Sequence, residues 1–132
     1  MTKFSQLISV EQKIHFIEEQ ELRSLLTRSD LFSPYEQNYC QHKPTPLISL
    51  AGLWCAKQAF VKATKHKLGF ANFNYLDLEI RHHAQGQPRM LLQGQLSDWF
   101  TEQNIETKIS ISHTKTLAVA AILFWYLKPK TK

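Results

Sequence analysis

The sequence predicts an α+β fold, and three stretches predict it. Leu47 to His66 carries Leu50, Leu53, Trp54, Ala56, Ala59, Phe60 and Ala63 at helical spacing. Tyr75 to Ile80, the turn Gln85-Gly86-Gln87-Pro88 and Arg89 to Leu92 read as a hairpin. Thr107 to His113 and Leu117 to Tyr126 read as a closing hairpin. Its second strand is nearly all apolar and is expected to be buried on both faces. Helices and strands follow in mixed order rather than as a βαβ repeat, which is the pattern of α+β chains.

Taken in order, Phe4 to Val10 is short and partly apolar, as a strand would be. From Glu11 to Thr27, Ile14, Ile17, Leu22, Leu25 and Leu26 fit a helix with Glu18, Glu19 and Glu21 on its other faces. Ser33-Pro34-Tyr35-Glu36 signals a second helix start: serine to cap, proline at the first position, glutamate three residues on. Pro44 and Pro46 end that element and open the long helix. A short helix is expected around Leu96 to Gln103, before the closing hairpin.

The chain has 132 residues, 43% hydrophobic and 20% charged, the composition of one ordinary globular domain, expected to span 1–132. No run of eighteen apolar residues occurs and the start is too polar for a signal peptide, so no membrane partner and a cytoplasmic location are expected. Cys40 and Cys55 lack the spacing of a zinc site or a disulfide framework. The formal net charge of +5 favours a polyanionic or acidic partner. Lys128, Lys130 and Lys132 read as a solvated basic end. Nucleic acid is not expected, because stacking aromatics are not interleaved with the basic residues.

Three segments set polar residues in otherwise apolar elements, of which Gln85-Gly86-Gln87-Pro88 reads as a hairpin turn and nothing more. In Trp54-Cys55-Ala56-Lys57-Gln58-Ala59-Phe60-Val61-Lys62, Gln58 and Lys62 are four apart and share a helix face. A lysine there can hold a phosphate, act as a base if burial lowers its pKa, or merely form the wet side of the helix. In Ser110-Ile111-Ser112-His113, strand alternation puts the serines on one face and Ile111 with His113 on the other. A Ser-His pair without a nucleophile elbow or a third, acidic member points to hydrogen bonding of phosphate or backbone rather than to hydrolysis. His82 and His83 are adjacent, so a strand would send them to opposite faces, which is poor for one metal ion.

These segments, in order, resemble the holo-acyl-carrier-protein synthase or 4′-phosphopantetheinyl transferase family in its small single-domain branch. Trp54 to Lys62 resembles the signature WxxKE(S/A)xxK. Leu31 to Cys40 resembles the "LTxxE" helix start, and Leu50-Ala51-Gly52 the "LAGRF" approach. Asp77-Leu78-Glu79-Ile80 with Gly86-Gln87-Pro88 is similar to "DIEV…GKP", and Ser110 to His113 with the apolar strand after it to "SxSH…AxAxV". The resemblance implies an antiparallel sheet packed against a long helix. It also implies magnesium-dependent transfer of the phosphopantetheine arm of coenzyme A to a serine of an acyl or peptidyl carrier protein, in a fatty-acid or polyketide pathway. A homotrimer with sites between subunits is implied as well.

Carried over by position, Lys62 and Gln58 are the catalytic candidates. Lys57, Lys62, Lys65, Lys67, Ser112 and His113 are the candidates for holding coenzyme A, and Glu11, Ser9 and Gln58 for magnesium. The chain departs from the pattern at several of these. Gln58 stands for the metal-binding glutamate, Ser9 for the aspartate of "GxD", and Leu53 for the arginine of "AGRF". Lys65-His66-Lys67 replaces the glycine-rich loop, either contacting the coenzyme's pyrophosphate or 3′-phosphate or forming a loose charged loop. A neutral amide is a weaker magnesium ligand than a carboxylate. The alternative reading is therefore a relative that binds coenzyme A or a carrier protein without turnover.

Overall fold

Eleven of the eighteen residues of one helix, Pro46–Ala63, are buried, and the rest of the chain is arranged around it. The computed structural model describes residues 4–15, 19–70 and 74–127, with 4–15, 19 and 67 as backbone only. The strands are β1 (Phe4–His15), β2 (Leu78–His82), β3 (Pro88–Leu92), β4 (Ile105–His113) and β5 (Leu117–Leu127). The helices are α1 (Glu19–Leu26), α2 (Pro34–Gln41), α3 (Pro46–Ala63) and α4 (Gly94–Glu102). The basic tail expected at Lys128, Lys130 and Lys132 lies outside the described residues, as does Ile17.

The first strand is longer and the first helix shorter than the sequence suggests. Backbone pairing with β5 runs the length of β1, from Phe4 opposite Leu127 to His15 opposite Leu117. Val10 and Ile14 stand opposite Ile122 and Ala118. A spacing of four residues satisfies a helix and a strand equally, and here the ladder decides. What remains helical is Glu19–Leu26.

Three strands form the main sheet in the order β1-β5-β4, all antiparallel, and β2 and β3 form a separate hairpin. On β5, Ala118, Ala120, Ile122 and Phe124 are buried. This is the face to which Phe60 of α3 reaches, its ring 5.4 Å from Phe124, with Phe100 of α4 closing a three-ring cluster at 5.6 and 5.9 Å. Each such fully buried ring contributes roughly 1.5–3 kcal/mol by removal from water. The alternate residues of β5, Leu117, Val119, Ala121, Leu123 and Trp125, are only partly covered. The expectation of burial on both faces is thus met in full on one face only.

Local signals set the helix limits. Ser33 caps α2 in a capping box, its hydroxyl accepting from the Glu36 amide while the Glu36 carboxylate accepts from the Ser33 amide. Past Ala63 the helix widens into a π turn, Thr64–Leu68, and stops at Gly69 in the left-handed region (φ 83°). The Tyr75–Asp77 stretch read as strand is a 3₁₀ turn opened by Asn74, whose side chain accepts from the Leu76 amide; the strand proper begins at Leu78.

Candidate active site

Four elements meet around a cavity of about 180 Å³. From α3 come Gly52 and Leu53, from β4 Ile111 and His113, and the β2–β3 hairpin supplies His82, Gly86 and Pro88. Gly52 is needed for this closeness. A Cβ added there would lie 2.9 Å from Cγ2 of Ile111, inside contact distance. Tyr39 of α2 forms a further wall and stacks on His82 with ring centroids 3.7 Å apart and planes 5° off parallel. The Lys43 ammonium lies 4.6 Å from the Tyr39 ring centroid. Burial, then the nearby Lys43 charge, lowers the His82 pKa, so its imidazole is held neutral.

Strand alternation delivers His113 to this cavity and sends Ser112 to the exposed opposite face, in register with Val119. The two candidates for coenzyme A on β4 are therefore not brought together. Leu53, at the position of the family's arginine, lines the cavity and is itself buried, so no cation is supplied from that position.

Along α3 the polar candidates separate. Lys57 faces inward and is fully buried. Its ammonium donates to the carbonyl of Leu31 (2.6 Å), to Oε1 of Glu36 (2.7 Å) and to the carbonyl of Tyr75 (3.4 Å). Burial lowers its pKa, with Glu36 opposing the shift. An ammonium with these partners is turned away from any phosphate at the surface, unlike the expectation for a coenzyme-binding lysine. Gln58 is half-buried, and Lys62 is exposed. Lys65 and His66 are exposed on the π turn, while the side chain of Lys67 lies outside the described residues. Lys62 is nine residues beyond Leu53, about 14 Å along the helix axis at 1.5 Å per residue. The cavity and the exposed lysines thus sit toward opposite ends of α3.

Of the metal candidates, Ser9 and Glu11 are described by backbone register alone, opposite Leu123 and Ala121 of β5. Those two β5 residues lie on the sheet face away from α3, which carries Gln58. Among the described residues no group of three His, Cys, Asp or Glu could hold a metal ion. With Gln58 as a neutral donor, the described residues do not by themselves fit a hard divalent cation.

Two contacts of the site carry no local sequence signal. Glu36 was legible as a helix cap but not as the partner of Lys57. The Tyr39–His82 stack joins residues 43 positions apart, and no local spacing announces it. A second, larger cavity of about 410 Å³, bordered by Arg23 and Leu26 of α1 and by Leu47 and Ile48 of α3, is mainly apolar. It brings no group suited to phosphate chemistry beyond Arg23. Among the described residues no helix is long and apolar enough to cross a membrane.

Known proteins resemble this chain in sequence and in fold. The profile of the 4′-phosphopantetheinyl transferase superfamily (ACPS) matches residues 9–122. The holo-[acyl-carrier-protein] synthase of Halothermothrix orenii is 34% identical over 94 residues, 70% of this chain and 74% of that protein. That of Caldanaerobacter subterraneus subsp. tengcongensis is 30% identical over 115 residues, 86% of this chain and 80% of its own length. The solved ACPS–CoA complex of Chronobacterium ammoniagenes superposes with a TM-score of 0.76 at 25% identity, over 92% of this chain and 98% of that one. With the matched segment running from β1 into β5, the chain belongs to the 4′-phosphopantetheinyl transferase superfamily.

Proposed function

We propose that this chain transfers the 4′-phosphopantetheine arm of coenzyme A to a serine of an acyl or peptidyl carrier protein. One observation carries the reading: three segments far apart in sequence, Gly52-Leu53, Gly86 with Pro88, and Ile111 with His113, converge on one cavity. Each belongs to a separate motif of the transferase pattern. The similarity to a structure solved with coenzyme A supports the same ligand here. In the reaction the serine oxygen bonds to the β-phosphorus of coenzyme A as the bond from that phosphorus to the bridging oxygen breaks. 3′,5′-Adenosine bisphosphate leaves and the serine proton passes to water. His113 would hold the nucleotide end, and the exposed Lys62 and Lys65 would neutralise charge on the pyrophosphate. Gln58, one turn before Lys62, would hydrogen-bond the reacting phosphate as a neutral group. Magnesium in this reading would be held by Glu11, the coenzyme's phosphates and water, with Gln58 adding only a neutral donor, and would offset charge on the pyrophosphate.

The same reading includes one catalytic domain, a cytoplasmic setting and a homotrimer. Support for self-association comes from β5, a central strand whose second face is apolar and only partly covered in one chain. It also comes from the gap along α3: a pyrophosphate attached to a nucleoside in the cavity is distant from Lys62 of the same chain. A second copy bringing its own end of α3 alongside closes that gap. Acidic carriers suit the net charge of +5.

The direct test incubates several apo-carrier proteins with coenzyme A and magnesium and weighs the carriers by mass spectrometry. A gain equal to one phosphopantetheine supports the proposal. Coenzyme A binding without mass gain on any carrier would leave the binding-only alternative in its place.

A further inference from the structure

One buried ion pair joins most of the elements that wall the cavity. The carboxylate of Glu36, on α2, takes the Lys57 ammonium of α3 at 2.7 Å and the Ser33 amide at 2.9 Å on one oxygen. Its other oxygen takes the Ile80 amide of β2 at 2.8 Å. Lys57 in turn holds the carbonyls of Leu31 and Tyr75, so the chain before α2 and the turn before β2 are tied to the same point. Both side chains are wholly shielded from solvent, and Glu79 adds a further negative charge near Lys57. α2 carries Tyr39, α3 carries Gly52 and Leu53, and β2 carries His82 into the cavity. None of these three cavity walls is fixed to the others by a disulfide, and both cysteines are free thiols.

We propose that Glu36 and Lys57 are positioning residues for the nucleotide cavity, setting the mutual placement of α2, α3 and the β2–β3 hairpin without touching the coenzyme. The inference rests on the transferase reading and deepens it. A buried pair of opposite charges whose ammonium has three acceptors and whose two carboxylate oxygens are both engaged is held in one geometry, whereas a hydrophobic pair of the same volume lacks those directional restraints. The hub therefore acts on coenzyme binding, at a distance from the phosphates. Lys57, one residue before Gln58, also fixes the rotation of α3 that presents Gln58 and Lys62.

The experiment compares the full chain with Glu36→Gln/Lys57→Met, which removes both charges, keeps side-chain volume and leaves an amide oxygen to accept from a backbone amide. Binding of 3′,5′-adenosine bisphosphate is titrated calorimetrically at a temperature where each protein is folded, and KM is measured separately for coenzyme A and for the carrier. The expected result is a tenfold or greater weakening for the bisphosphate and a matching rise in the coenzyme A KM, with the carrier KM unchanged. A merely structural pair would lower the melting temperature and leave both constants as they were; that result overturns the inference. Should the double variant not fold, Glu36→Asp keeps the charges but shortens the arm, and it carries the same KM readout with the same overturning result. Absence of transfer and of bisphosphate binding in the unaltered chain would instead sink the transferase reading itself.

Discussion

Stacked between Tyr39 and the cavity, His82 holds its proton more weakly than an ordinary histidine because its ring is partly desolvated and Lys43 stands close by. In the unfolded chain the same ring takes a proton near its usual value of 6.5. As pH falls through that value the unfolded state binds more protons than the folded one, so stability falls with it. The melting temperature is therefore expected to drop between pH 7 and pH 5, and His82→Phe, which keeps the stack, should flatten that part of the curve. An unchanged slope would show that other groups govern the transition. Gln58 yields a second outcome at this scale. Restoring a carboxylate with Gln58→Glu should lower the magnesium concentration needed for half-maximal transfer several-fold, as read from a metal titration of the initial rate. The two thiols are expected to stay out of the chemistry: burial pushes the Cys40 pKa to about 12 and that of Cys55 to about 11.

Between α3 and β4, Gly52 and Ile111 approach closely, and their contact gives the element scale its sharpest test. Gly52→Ala forces a methyl group against Ile111 Cγ2, an overpacking that costs about 1–3 kcal/mol. Because the same two residues line the cavity, the coenzyme A KM should rise along with the loss in melting temperature. Ile111→Ala, which removes Cγ2 itself, should relieve that contact and restore part of the KM. The elements differ in how legible they were. α2 was readable from Ser33, Pro34 and Glu36 because a capping box is a local, four-residue code. α3 was readable because a buried helix of eighteen residues cannot be mistaken for a strand. β1 was half-read, since Val10 and Ile14 obey both periods and only the distant β5 chooses between them. The site shows the same division. His113 and the Gly86–Pro88 turn were found from short motifs, whereas the inward turn of Lys57 depends on Glu36, a partner 21 residues away.

Across the whole molecule, the second face of the main sheet sets the expectations. A charge introduced there by Leu123→Glu would be tolerated by a lone chain, where Leu123 is only partly covered. In a homotrimer built on that face it should shift light-scattering mass from three chains toward one and abolish transfer together with the assembly. Monomeric mass in the unaltered chain would overturn this part of the reading. The pairing of β1 with β5 sets Val10 opposite Ile122, 112 residues later. The Glu36–Lys57–Ile80 hub, by contrast, closes within 44 residues. Loop-closure entropy favours the shorter circuit. The helices and the small hairpin should therefore assemble first, while the central sheet waits for β5 to be synthesised. During translation the apolar side of α3 is then left without its sheet, so nascent chains stalled before Leu117 should depend on chaperones until β5 emerges.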